Sequence, residues 1–163
     1  MTQRPLLIAA AAAAALGGNA ALAAEQTTTF DVQIVLEAAC AVSADPLLDF
    51  GTAGLLSSAV DSDADITVLC TEGVVYDIGL SAGDNGGGVT TARKMLNGAN
   101  DVTYDLFSDA GRSSHWGDII DTDTVSATGT GANQTFTVYG RVPVQDTPPA
   151  GTYTDTITVT VTY

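Results

Sequence analysis

Between Thr152 and Thr162 every second residue is threonine, while Tyr153, Ile157, Val159, Val161 and then Tyr163 fill the alternate places, broken by Asp155. Side chains alternate across an extended chain but return every 3.6 residues on a helix, so this pattern fits a strand and no helix. One face is apolar and the other is a row of hydroxyls, as in a strand half-buried at the surface of a sheet. The same period recurs upstream. Phe136, Val138 and Val142 alternate with Thr135, Thr137 and Arg141 over 134–142, and Val74, Tyr76, Ile78 and Leu80 align over 74–80. Residues 66–70 and 102–107 give further strands, with 94–96 as a short edge. Residues 83–88 and 126–131 are rich in Gly, Asn, Ser and Thr and are expected to be loops, while Pro143, Pro148, Pro149 and Gly151 mark a turn. The last two strands, 134–142 and 152–163, are expected to be neighbours. The chain is therefore all-β, and many short strands with regular turns point to a β-sandwich of immunoglobulin-like type.

The first two dozen residues belong to a different class. Arg4 precedes an apolar run from Leu6 to Leu16, followed by the small-residue site Ala21-Leu22-Ala23. This is the pattern of a secretory leader over 1–24, cleaved near Ala24 or Glu25. The run is too short and alanine-rich for a membrane span, so membrane insertion is not expected. About 140 residues then remain, the size of one domain. Cleavage removes Arg4 and no acid, which takes the formal charge from −14 to −15. A surface this acidic repels phosphate backbones and anionic lipid, and argues against a nucleic-acid partner. Cys40 and Cys70 are the two cysteines of a chain addressed to an oxidising compartment, so one disulfide is the default expectation. In the chain-entropy view, closing such a loop stabilises the fold by about 3–4 kcal/mol.

Ahead of Cys40, residues 27–37 alternate as clearly as the C-terminal strand, with Phe30, Val32, Ile34 and Leu36 on one face and Thr29, Asp31, Gln33 and Glu37 mostly on the other. Such a segment is built to be paired. It is either the first strand of the sandwich or a strand added to the sheet edge of another molecule, and periodicity alone favours the former.

Eight short strings bear on that choice: Cys40-Ala41-Val42-Ser43, Leu48-Asp49-Phe50-Gly51-Thr52, Val68-Leu69-Cys70-Thr71, Leu80-Ser81-Ala82-Gly83, Tyr104-Asp105-Leu106-Phe107, Trp116-Gly117-Asp118, Val138-Tyr139-Gly140-Arg141, and Ala150-Gly151-Thr152-Tyr153 running through Asp155-Thr156 to Tyr163. Together, and in this order, they resemble the spore coat protein U domain family, which belongs with the subunits of archaic chaperone-usher pili. The family often has Tyr where Phe107 stands, and Arg93-Lys94-Met95 fits its pattern loosely. The resemblance implies an immunoglobulin-like sandwich lacking its last strand, with a groove along the C-terminal strand that a periplasmic chaperone fills first. An outer-membrane usher then exchanges the chaperone for the N-terminal extension of a neighbouring subunit. On that basis the chain divides into a leader (1–24), a donor-strand extension (25–37) and a pilin-type domain (38–163). Phe30, Val32, Ile34 and Leu36 become the donor residues, Ile157, Val159, Val161 and Tyr163 the groove lining, and Cys40–Cys70 ties the first strand of the body to the second. Export to the periplasm and then the cell surface, with use in adhesion or biofilm formation, follows from the same resemblance. The alternative is a self-contained secreted binding module for carbohydrate or protein, its N-terminal strand packed in cis.

Residues able to support chemistry are few. The sole histidine, His115, lies beside Ser113, Ser114 and Trp116, but adjacent Ser and His do not project correctly for proton transfer and no Gly-x-Ser-x-Gly elbow is present. His115 is expected in a loop at the surface, Trp116 as a packing anchor, and the chain is not expected to be an enzyme. Asp61, Asp63, Asp65 and Glu72 have some of the spacing of a calcium loop, but Ile66 occupies the place that needs glycine, so a solvated acidic turn is expected. Asp118, Asp121 and Asp123 form a second acidic cluster, and no Cys or His grouping suggests zinc. Asn133-Gln134-Thr135 is a sequon placed at a strand start with nothing else to support modification. No cofactor or metal is expected.

N-terminal sequencing of the exported protein is expected to begin at Ala24 or Glu25, and its intact mass to rise on reduction by the two hydrogens of a single disulfide.

Overall fold

Alternation becomes pairing along the strand that runs through the middle of the molecule. In the computed structural model, which describes residues 23–163, β2 (Val60–Cys70) pairs antiparallel with β1 (Cys40–Ala44) on one side and β8 (Gln134–Val142) on the other. The leader read over 1–24 lies outside the described residues except for its last two. β6 (Asp105–Phe107) adds to β8 and completes a four-stranded sheet in the order β1-β2-β8-β6. A second sheet has three strands, β7 (Val125–Thr128), β3 (Val75–Leu80) and β9 (Val159–Thr162), with β3 in the centre. β4 (Lys94–Asn97) and β5 (Asn100–Thr103) form a separate hairpin, entered through a single 3-10 turn at Thr90–Ala92.

The strand faces expected from period two supply the core. Ile66, Val68 and Cys70 of β2, Tyr76, Ile78 and Leu80 of β3, and Val138 and Val142 of β8 are buried together with Val102, Tyr104, Leu106 and Trp116. Trp116 is 1% exposed and its indole N–H donates to the Ile78 carbonyl at 2.8 Å, so the anchor expected there is also a hydrogen bond to the central strand. Tyr76 meets Phe136, and Phe50 meets Tyr104, edge to face with ring centres 6.3 Å apart. Gly140 lets this layer close, because a Cβ there would stand 2.9 Å from Leu48 and Phe50 where they cross β8.

Several expectations are corrected. Residues 152–163 form a strand over Val159–Thr162, preceded by one bridge between Thr154 and Leu96. Asp155 explains the break: its carboxylate accepts from the Tyr104 hydroxyl at 2.7 Å and from the Asn85 amide at 2.9 Å, an inward polar contact. β8 and β9 are not neighbours but lie in different sheets, since residues 143–158 are too long for a hairpin and cross from one sheet to the other. The crossing is fastened by the Gln145 amide to the Leu56 carbonyl (3.1 Å) and by the Gln145 side chain to Thr103. The stretch 102–107 splits at Tyr104 into β5 and β6, which belong to different sheets. Part of 126–131 is strand β7.

The acidic turn expected at Asp61, Asp63 and Asp65 is instead the first half of β2. Their exposed positions alternate with half-buried Ser62 and Ala64, and β8 places Arg141, Tyr139 and Thr137 opposite them. Asp61 accepts from Arg141 at 2.7 and 2.8 Å, and Asp65 accepts from the Thr137 hydroxyl at 2.7 Å. Arg112 adds a 3.4 Å contact to Asp61 and stacks over Tyr139 at 5.7 Å. Acids at alternate positions are compatible with a strand when its partner offers donors at the same spacing.

Arg93 is 1% exposed, a buried cation that sequence reasoning passed over. It donates to the carbonyls of Ser81 (2.9 Å), Leu80 (2.8 Å) and Trp116 (2.8 Å), with Asp105 at 3.5 Å. Burial lowers its pKa from the ordinary arginine value, opposed by Asp105, and the charge is held by carbonyl dipoles at the end of β3.

The hydrogen bonds from Arg141 hold the Asp61 carboxyl below its ordinary value of 3.8, against partial desolvation. A lowered folded-state pKa contributes stability that is present above the ordinary aspartate range and lost as pH falls through the folded value. The contribution is modest, because both side chains are exposed and screened by salt. Urea midpoints of the wild type and Asp61→Asn are expected to differ at neutral pH, and the gap to close below about pH 4.

Candidate functional site

The two sheets of the sandwich do not match in width. One sheet has four strands and the other three, and β1 is an edge strand of the wider one. Cys40 is half-buried, but Ala41, Val42, Ser43 and Ala44 are all exposed, with Val42 43% open. β9 ends the narrower sheet, with β3 on one side and, among the described residues, no strand on the other. β1 and β9 approach within 8 Å between Cα atoms yet share no ladder. Each therefore keeps one edge without a ladder partner among the described residues.

Sheet edges are normally blunted by charge, proline, a bulge or a covering segment. β6 has such a cover, since Phe107 bridges His115, the Trp116 amide donates to the Leu106 carbonyl at 2.9 Å and the Ser108 amide to the Ser114 carbonyl at 3.0 Å. β1 and β9 have neither charge nor proline. Residues 156–163 carry no charged side chain, and Asp155 before them is turned inward to Tyr104 and Asn85. Burial and the Asp155 carboxylate push the Tyr104 hydroxyl well above the ordinary tyrosine range, so it stays protonated and donates.

Of the groove residues expected from sequence, Ile157, Val159 and Val161 are half-buried and packed against the core. Tyr163 lies beyond β9 and is 60% exposed. Cys40 and Cys70 are joined, and they sit directly opposite each other in the β1–β2 register. Residues 23–39 form neither strand nor helix, and Phe30, Val32, Ile34 and Leu36 are 84%, 86%, 79% and 79% exposed. Four large apolar side chains in alternate positions are thus in water.

Thr71, one residue past β2, was not singled out from sequence. Its amide donates to the Ala39 carbonyl at 3.0 Å, its hydroxyl oxygen accepts from the Ala39 amide at 3.1 Å, and the Glu37 carbonyl lies 3.3 Å from that hydroxyl. The chain entering β1 is therefore held against β2 before the first strand begins.

The other residues considered for chemistry have different contacts. His115 is half-buried rather than free at the surface, with Nδ1 2.8 Å from Asp105 and Nε2 3.1 Å from Thr90. The Ser113 hydroxyl donates to Asp109 at 2.9 Å, not to His115. Amides of Ser113 and Ser114 also donate to Asp109, and that of Ile119 to Asp123. Hydrogen bonds from the Ser114 and Ser113 amides lower the Asp109 pKa from its ordinary value. Among the described residues no three His, Cys, Asp or Glu side chains converge as a metal site, and no helix is long and apolar enough to cross a membrane.

The model of the Spore Coat Protein U domain matches residues 26–160, from before the exposed alternating segment into β9. The chain belongs to the Spore Coat Protein U domain family. A search of curated proteins gives no match. Among solved structures the chain is similar to one in the crystal structure of the CsuC–CsuE chaperone–tip adhesion subunit pre-assembly complex from archaic chaperone-usher Csu pili of Acinetobacter baumannii, with 29% identity and a TM-score of 0.54. The match covers 77% of this chain and 40% of that one, so the domain described here spans less than half the length of its structural relative. The likeness agrees with the immunoglobulin-like all-β fold expected from sequence.

Backbone amides that lack partners exchange quickly. In the lone chain, amides of residues 27–37 are expected to exchange within seconds while those of β2 and β8 stay protected, as read by hydrogen–deuterium exchange mass spectrometry.

Proposed function

We propose that this Spore Coat Protein U domain is a structural subunit of a surface pilus, exported to the periplasm and assembled by the chaperone-usher route through donor-strand exchange. The observation that carries the proposal is the mismatch of four strands against three, with the edge strands β1 and β9 close to each other. A strand laid beside β9 completes the narrow sheet and covers β1. The chaperone supplies that strand first, and the usher exchanges it for residues 27–37 of an incoming subunit. Phe30, Val32, Ile34 and Leu36 then enter the groove against Ile157, Val159, Val161 and Tyr163.

The energetics are adequate. Burying four apolar side chains at about 1.5–3 kcal/mol each gives roughly 6–12 kcal/mol before ordering costs are subtracted, and backbone bonds to β9 add to it. Pulling force along such a fibre enters the body at Cys40, which is covalently tied to the adjacent strand. An empty groove leaves apolar surface and an unpaired edge in water, the physical need for a chaperone. Adhesion and biofilm formation are the uses that fit such a fibre. Its role is structural and requires no reaction, metal or cofactor.

The test compares the mature protein with a version lacking residues 24–37, each produced with its chaperone. A ladder of high-mass species that survives detergent, collapses on boiling and requires those residues is expected. A stable, monodisperse monomer in both cases would sink the proposal in favour of a self-contained binding module.

A further inference from the structure

Two asparagines of the chain, Asn85 and Asn97, precede glycine. In such a step the glycine amide nitrogen can approach the asparagine carboxamide carbon, because the following residue has no Cβ to obstruct it. We propose that Asn97 is a site of spontaneous deamidation in the folded protein, that Asn85 is protected from it, and that the conversion frees the β4–β5 hairpin from the segment leading to β9. The Gly98 nitrogen gives its proton to solvent base and attacks Cγ of Asn97; a C–N bond forms, the Cγ–Nδ2 bond breaks and ammonia leaves. Water then opens the succinimide ring. Opening at Cγ restores the ordinary backbone as aspartate, whereas opening at the main-chain carbonyl leaves Gly98 joined through Cγ, an isoaspartate whose backbone is one methylene longer. Either product exchanges NH for O and turns a neutral side chain into a carboxylate.

The surroundings of the two asparagines differ. Gly98 and Ala99 form the turn between β4 and β5, and Asn97 and Asn100 are the last pair of that ladder. Gly98 is exposed, with φ at +62°, and its amide makes none of the turn or loop hydrogen bonds of the described residues. Among the same residues the Asn97 carboxamide is unpaired, the Asn100 side chain reaching only the Asn97 carbonyl at 3.5 Å. Nucleophile and electrophile therefore sit unrestrained at the tip of a two-stranded hairpin, a unit of marginal stability. Asn85 is held. Its amide donates to the Asp155 carboxylate at 2.9 Å and to the Thr154 carbonyl at 3.4 Å. Gly86 is buried and packed so closely on the Ala82 carbonyl that a Cβ there would collide with it. Ring closure at Asn85 would break both bonds and move packed backbone.

β4 grips the segment 143–158 at two adjacent places. Leu96 and Thr154 exchange amide-to-carbonyl bonds of 2.9 and 3.1 Å, and the Asn97 carboxamide lies against Gly151, where a Cβ would collide with Nδ2. The cleft between the hairpin tip and this segment is lined by Asp101 and Asp146 among others. Isoaspartate lengthens the backbone next to the Leu96 bridge and withdraws the carboxamide from Gly151. It also brings a further carboxylate to a tip that already carries two, and like charges repel across the contact.

The experiment ages the mature, disulfide-intact chain in heavy-oxygen water at neutral and mildly alkaline pH, native and in denaturant. Peptides are mapped by mass spectrometry, with an isoaspartyl methyltransferase reporting isoaspartate. In the native chain Asn97 is expected to convert, faster at the higher pH, while Asn85 keeps its amide; in denaturant the two convert at similar rates. A native Asn97 that stays intact, or native conversion of both at similar rates, would overturn the assignment. Hydrogen exchange then compares fresh and aged chains, and the Leu96 and Thr154 amides are expected to lose protection while β2 and β8 keep theirs. Unaltered protection in a converted chain would overturn release of the hairpin. Asn97→Gln, whose longer side chain closes a larger ring slowly, is expected to show neither change on ageing; the same loss of protection in that variant would break the link between conversion and release.

Discussion

Among the described residues, the hydrogen-bonding groups along β9 meet a partner strand on the β3 side and none on the other. An unpaired edge in a protein rich in β structure is either guarded or used, because any extended chain of suitable pattern can add to it. Here the edge is uncharged, the nearby strand β1 is exposed, and the alternating segment ahead of it pairs with no strand among the described residues. These features are the ones on which the proposed donor-strand exchange rests.

Directed polar contacts fasten the ends of the sheets. Arg93 gathers the carbonyls of Leu80, Ser81 and Trp116 from separate segments, and Trp116 bonds the middle of β3. Asp155 and Tyr104 join the approach to β9 with the junction of β5 and β6. On the other sheet, Asp61 draws in Arg141 and Arg112, and the disulfide fastens β1 to β2. Three of the four basic side chains of the mature chain are thus engaged internally, leaving an outer surface that is mostly acidic.

Much of this was legible in the residues. The period-two runs located β2, β3 and β8 and named their buried faces, and β8 agrees residue for residue with 134–142. The cysteine pair and the anchoring role of Trp116 were equally readable. Pairing between strands was less so. Residues 134–142 and 152–163 look alike and are separated by proline and glycine, which suggests a hairpin, but whether a connection turns back or crosses depends on where the remaining strands have gone. The acids of β2 looked like a turn because their donors, Arg141 and Thr137, lie far along the chain. Arg93 and Thr71 gave no local signal, as their partners are backbone carbonyls and amides, which every residue has. Asp155 did give one, since a lone acid on an otherwise apolar face implies a buried partner.

By itself, the sequence determined the class of fold, the faces of the strands, the covalent tie and the existence of a patterned segment ahead of Cys40. These depend on side-chain alternation and residue chemistry, which are local. Only the tertiary structure decided that the sheets have unequal width, that β8 and β9 lie in different sheets, and that the entry to β1 is held by Thr71. Those are properties of strand order and of backbone hydrogen bonds between distant segments, and no pattern confined to one strand carries them.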